Sequence, residues 1–204
     1  MIILRRLLFL LLLSLNWHSS SGQNVISFKD TINAYNKKRI SIDLKGMQVL
    51  GTWGIANIVS GGIGSITGKY DTKYFFEMNT GWGAFNTLFA YSLYQRGINE
   101  AGEKTGYQRA YQLYRRDKSF FIYKTIADVA LIGIGAGLIG AKPISDQQKQ
   151  MFSGFGQSCL IQGTSMILFD DIMAIVHNRS NYNWLNIMNE ISFTGYSLCY
   201  VHHF

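Results

Sequence analysis

Residues 46–64, GMQVLGTWGIANIVSGGIG, form a nineteen-residue run without a formal charge, yet the run is broken up by glycine, tryptophan and asparagine. Its length matches the roughly 20 residues needed to cross a bilayer as a helix. Its composition is not that of a helix surrounded by lipid. Small residues allow close helix contact in membranes, and an amide in hydrocarbon needs a partner. The stretch therefore predicts one helix of a packed membrane bundle.

Three further runs have similar length and the same mixed character: Tyr74 to about Tyr94, Ser119 to Ala141, and Phe152 to His177. All carry Gly, Asn, Gln or an acid, and none has the wide charged stripe of a helix in a water-soluble bundle. Charged residues make up 15% of the 204 residues, below the roughly 25% of soluble globular chains, which agrees with the membrane reading. The net charge of +7 lies between the apolar runs rather than on one basic face, so it reads as membrane-flanking charge and not as a nucleic-acid surface. The expected partner is the lipid bilayer, with no nucleic acid, and a homo-oligomer and a small ligand or cation stay open.

Outward from these runs, the chain divides into four parts. Residues 1–22, with Arg5 and Arg6 ahead of the apolar run Leu7–Leu13, read as a signal peptide cleaved before Gln23, where Ser20 and Gly22 have the required small-residue spacing. Residues 23–45 read as an amphipathic interfacial helix, with Phe28, Ile32 and Tyr35 on one side and Lys37, Lys38 and Arg39 near the polar side. Residues 46–178 form the four-span bundle. Residues 179–204 read as an interfacial tail. "TGKYDTK" and "KPISDQQKQ" are short connections, the second with Pro143 as a helix stop, and "RGINEAGEKTGYQRAYQLYRRDK" reads as a long basic loop. The leader places the mature N-terminus outside, against the charge bias of that loop. The fold class is thus all-α, an integral membrane four-helix bundle preceded by an amphipathic helix.

Two segments repeat a pattern: Trp53-Gly54-x-x-Asn57 and Trp82-Gly83-x-x-Asn86. They fall on consecutive, antiparallel spans, so the two asparagines are expected to meet as interhelical glue. Gly provides clearance, Trp provides bulk, and Gln162 joins the packing set. The stretches "GMQVLGTWGIANI", "EMNTGWGAFN", "KTIADV" and "GQSCLIQGTSMILFDDIMAIVH" resemble an uncharacterised family of small bacterial membrane proteins with four predicted spans. The resemblance covers roughly Phe28 to His177. It implies a multi-pass protein of a bacterial cell membrane and supplies no mechanism.

The ionisable residues inside the spans carry the functional reading. At 1.5 Å of rise per residue, Lys124 lies roughly 7 Å from one membrane face, Asp170 roughly 10 Å and Asp128 roughly 13 Å, with His177 at the boundary. Buried charges are costly unless paired, so these residues are expected to form one ligand or ion pathway, with His177 as its gate. Asp128, Asp170 and His177 are ligand types for a metal, but no metal motif is present and no metal or cofactor is expected. "GGIG" and "GIGAG" lack the strand–helix setting of a phosphate loop. Two function classes follow. One is a binding, sensing or transport-related module for a small ligand or cation. The other is a membrane enzyme using Asp128 or Asp170 with His177 as acid–base groups, which requires carboxylate and imidazole within hydrogen-bond reach.

Overall fold

The computed structural model describes residues 28–103, 105–193 and 198–200, with side-chain surroundings for residues 29–103 and 105–180. The leader expected at 1–22 lies outside the described residues. Four long helices dominate: α1 (Phe28–Thr67), α2 (Asp71–Ala101), α3 (Tyr107–Gly140) and α4 (Asp146–Glu190). Two three-residue strands, β1 (Ile191–Phe193) and β2 (Leu198–Tyr200), pair antiparallel after α4. The helices lie up-down-up-down. α1 packs most extensively on α2 and α3 on α4, and the two hairpins meet chiefly through α2 and α4.

The connections follow from local chemistry. Between α3 and α4, Pro143 cannot continue a helix, and Ser145 Oγ accepts a hydrogen bond from Gln148 N at 3.2 Å. In return Gln148 Oε1 accepts the Ile144 backbone N–H at 2.7 Å, so the start of α4 is capped from both sides. The expected long basic loop is not a loop. α2 continues to Ala101 and α3 begins at Tyr107, leaving residues 102–106 as the link. Glu100, Arg116 and Asp117 of that stretch pair between helix ends, and Arg115 and Lys118 lie on the exposed side of the helix, so its charges are compatible with helix.

The amphipathic stretch is helical and continues without a break into the first apolar run. Its apolar side, Ile32 and Tyr35, packs on Ala110 and Tyr114 of α3. Lys37 and Lys38 are exposed, whereas Arg39, expected near the polar side with them, is 1% exposed. At 40 residues α1 is about 60 Å long, twice the roughly 30 Å of a hydrocarbon core. The bundle therefore has an apolar body and a helical head built from the N-terminal part of α1, the end of α2 and the start of α3.

Glycine sets the distance between α1 and α2. A Cβ on Gly83 would lie 2.6 Å from Gly54 O and 2.7 Å from Ile58 N, and one on Gly54 would lie 2.8 Å from Gly83 O. Gly135 and Gly156 make a similar approach between α3 and α4, where a Cβ on either would lie 2.8 Å from the other's carbonyl oxygen. Since backbone rather than a flexible side chain would be struck, Gly83→Ala is expected to force α1 and α2 apart and lower stability by about 1–3 kcal/mol. Gly81→Ala, which meets open space, is the control. Equal unfolding midpoints for the two variants in detergent would refute the close-contact role.

Candidate functional site

One stripe on each helix carries the polar groups inward. On α1 it runs Asn36, Arg39, Asp43, Met47, Leu50, Asn57, and on α4 Ser158, Gln162, Met166, Asp170, Met173, His177, steps of three, four or seven that keep one helix face inward. The groups form three layers. The middle of the bundle holds an amide layer, and the head holds an ion cluster. An apolar cluster of Met47, Leu50, Ala90 and Met166 lies between them, with Lys124 and its acids at the α3–α4 contact beside it.

Gln162, fully buried, is the hub of the amide layer. Its Nε2 donates to Asn57 Oδ1 and to Asn79 Oδ1, both at 2.9 Å, and its Oε1 accepts from Trp53 Nε1 at 3.3 Å. Ser158 Oγ also donates to Asn79 Oδ1, and Asn57 Nδ2 donates to Trp53 O. The expected Asn57–Asn86 pair is absent among the described hydrogen bonds. The antiparallel register sets Asn57 over Gly83, whose added Cβ would lie 2.9 Å from Asn57 Cβ. That is three residues, about 4.5 Å of rise, from the level of Asn86. Asn86 is 4% exposed and its Nδ2 has no hydrogen-bond partner. Trp82 stands half-buried with its ring edge-on to Phe85.

Lys124, Asp128 and Asp170 come together. Lys124 Nζ is 2.8 Å from Asp170 Oδ2 and 3.4 Å from Asp128 Oδ2, the latter one turn along the same helix. Asp170 is 1% exposed, the Asp128 carboxyl group lies beside it, and its Oδ1 accepts no hydrogen bond. His177 is not part of this trio. Its Nε2 lies 2.9 Å from Asp43 Oδ1, and its ring leans on Phe121. Seven residues separate His177 from Asp170 on α4, about 10 Å of rise, so the imidazole reaches the acid of α1 in the head instead. Among the described residues no three His, Cys, Asp or Glu side chains converge as a metal set.

The head cluster was not visible from the sequence as a site. Arg39 reaches Asp43 at 3.2 Å, Glu100 at 2.7 Å and Asp117 at 3.0 Å, and Arg116 adds bonds to Glu100 and Asp117 at 2.6 and 2.9 Å. Asn36 Oδ1 accepts from Arg39, and Asn36 Nδ2 donates to Thr105 Oγ1. The signal was present in the spacing. Ile32, Asn36, Arg39 and Asp43 repeat at three and four residues, and Asn79, Asn86 and Glu100 fall at multiples of seven.

Burial raises the Glu100 pKa, but hydrogen bonds from Arg116 and Arg39, and their charges, outweigh it and hold the carboxyl at about 2. Because this is below the ordinary 4.5, Glu100 favours the folded state fully above pH 4.5 and loses that contribution as pH falls toward 2. The thermal midpoint should therefore drop between pH 4.5 and 2, and Glu100→Gln should flatten part of that drop. An unchanged acid slope in the variant would contradict the assignment.

These features define a helical bundle with a polar interior, in which three helices (α1, α3 and α4) are long and apolar enough to cross a membrane. Residues 49–171 match a family of unknown function (DUF6992), and the chain belongs to that family. No curated protein and no solved structure matches the chain. The matched span contains the amide layer and the Lys124 trio, while Arg39, Asp43 and His177 lie outside it.

Proposed function

We propose that this is a four-span protein of a bacterial cell membrane, a binding, sensing or transport-related module that takes up a proton or small cation at Lys124, Asp128 and Asp170. One observation carries the reading: two buried carboxylates share a single ammonium, with an unpartnered oxygen on Asp170. The excess negative charge is neutralised by a proton shared between the acids or by a cation from solution. α2 is the fourth span. It falls short on hydropathy because its inward face carries Asn79 and Asn86, while Phe85, Leu88 and Tyr91 are 56–68% exposed on its outer face. In water such a surface would be a liability, but against lipid it is matched. The leader, as read from sequence, orients the mature N-terminus and the head outside.

The test is Asp128→Asn, which leaves Lys124 paired with Asp170. Above pH 4.5, outside the range in which Glu100 acts, the wild type should show a thermal midpoint that shifts with pH or with added Na+ or K+, and Asp128→Asn should fold yet lose that shift. An unchanged response would refute the site. A second reading, acid–base catalysis, is favoured by the 2.9 Å Asp43–His177 contact, since a carboxylate can orient an imidazole for proton transfer. That pair lies in the head, away from Asp128 and Asp170, and no nucleophile accompanies it among the contacts described.

A further inference from the structure

A second feature points to a ligand of a different kind. Between α3 and α4, where body meets head, lies a cavity of about 190 Å3. Its walls are sorted along the bundle axis. Tyr114, Lys118 and Asn178 line it on the head side, Phe121 and Ile122 on the body side, and His177 forms the back. Tyr114, Lys118 and Ile122 are successive four-residue steps on one face of α3, so the change from polar to apolar takes about 12 Å.

The charge at the mouth is positive and available. Lys118 is exposed and makes no ion pair with any described residue, whereas the neighbouring Arg116 is committed to Glu100 and Asp117. Asp117 also lines the cavity, but Arg39 and Arg116 neutralise it. His177 is 4% exposed and fixed through Nε2 by Asp43. Below the cavity the α3 side of the outer surface is apolar, with Ile122 and Ile126 more than 50% exposed, while on α4 the exposed Asp171 lies one turn below Ile175. A cationic donor set above a greasy track is complementary to an anionic amphiphile.

We propose that this cavity seats the phosphate group of an anionic membrane phospholipid, with Lys118, Asn178 and Tyr114 as donors and the acyl chains lying along Ile122 and Ile126. The volume suits a headgroup, so the chains remain in the bilayer. The proposal rests on the membrane-spanning reading and is independent of the proton or cation site.

The experiment uses the full chain in a neutral detergent, with phosphatidylglycerol, phosphatidylcholine or soluble glycerol phosphate added, read by thermal midpoint and by native mass spectrometry. Phosphatidylglycerol should raise the midpoint and remain bound. Lys118→Gln should weaken it about fivefold, the loss expected for one interfacial lysine. Lys149→Gln, exposed at the far end of the bundle, should behave as wild type. Equal protection of wild type and Lys118→Gln, or equal protection by phosphatidylcholine, overturns the proposal. Protection by glycerol phosphate matching that by the lipid also overturns it, in favour of a soluble phosphate ligand. Release of the chain from membranes by alkaline carbonate would instead refute the spanning reading, which separates the two failures.

Discussion

The Arg39→Leu variant should lose about 3–5 kcal/mol of stability, the cost of breaking a buried ion cluster by removing one partner. Leucine leaves Asp43 without its intrahelical partner and removes the guanidinium shared by Glu100 and Asp117. Arg116 remains, but it reaches only Glu100 and Asp117, and from a different side. Lys37→Leu, on the exposed face two residues away, should stay within about 0.5 kcal/mol of wild type. Adding Glu100→Gln to Arg39→Leu should restore part of the loss, since it removes one of the stranded charges. Unfolding midpoints in a fixed detergent measure all three. If Arg39→Leu and Lys37→Leu melt alike, the cluster does not hold the head together.

Lys124→Met is the second large effect, again about 3–5 kcal/mol, because it leaves Asp128 and Asp170 facing each other with no cation. Asp128→Asn should be mild by comparison, since the 2.8 Å Lys124–Asp170 contact survives it. The double variant Lys124→Met with Asp170→Asn should be more stable than Lys124→Met alone. That non-additivity is specific to charges in contact. Strictly additive losses would mean the three groups are energetically separate despite their distances.

Periodicity made the helices legible, and the apolar runs located the body of the bundle. What escaped was pairing between elements. Lys37, Lys38 and Arg39 look alike as a run, but a helix turns about 100° per residue, and only Arg39 aligns with Ile32, Asn36 and Asp43. Residues 96–118 read as a loop because no single charge there has a partner nearby in sequence that neutralises the whole set, and Glu100, Arg116 and Asp117 are balanced only once α1 supplies Arg39. Trp-Gly-x-x-Asn is legible as a repeat, but its register depends on the three-residue turn at 68–70, which sets Asn57 opposite a glycine. Asn57's actual partner, Gln162, is 105 residues further along the chain.

The Lys124–Asp128 pair also bears on how the chain is made. Both residues belong to α3, four apart, so on the proposed membrane-spanning reading that helix brings its own counter-ion when it leaves the insertion machinery. The apolar part of α3, residues 119–140, carries only these two charges and can partition into lipid as a net-neutral segment before α4 has been synthesised. Asp170 arrives last and without a cationic partner within one turn of its own helix, and α3 already presents the Lys124 ammonium to it. An acid that would oppose insertion of an isolated α4 thus becomes the contact that draws α4 against α3, which makes the order of synthesis part of the folding pathway.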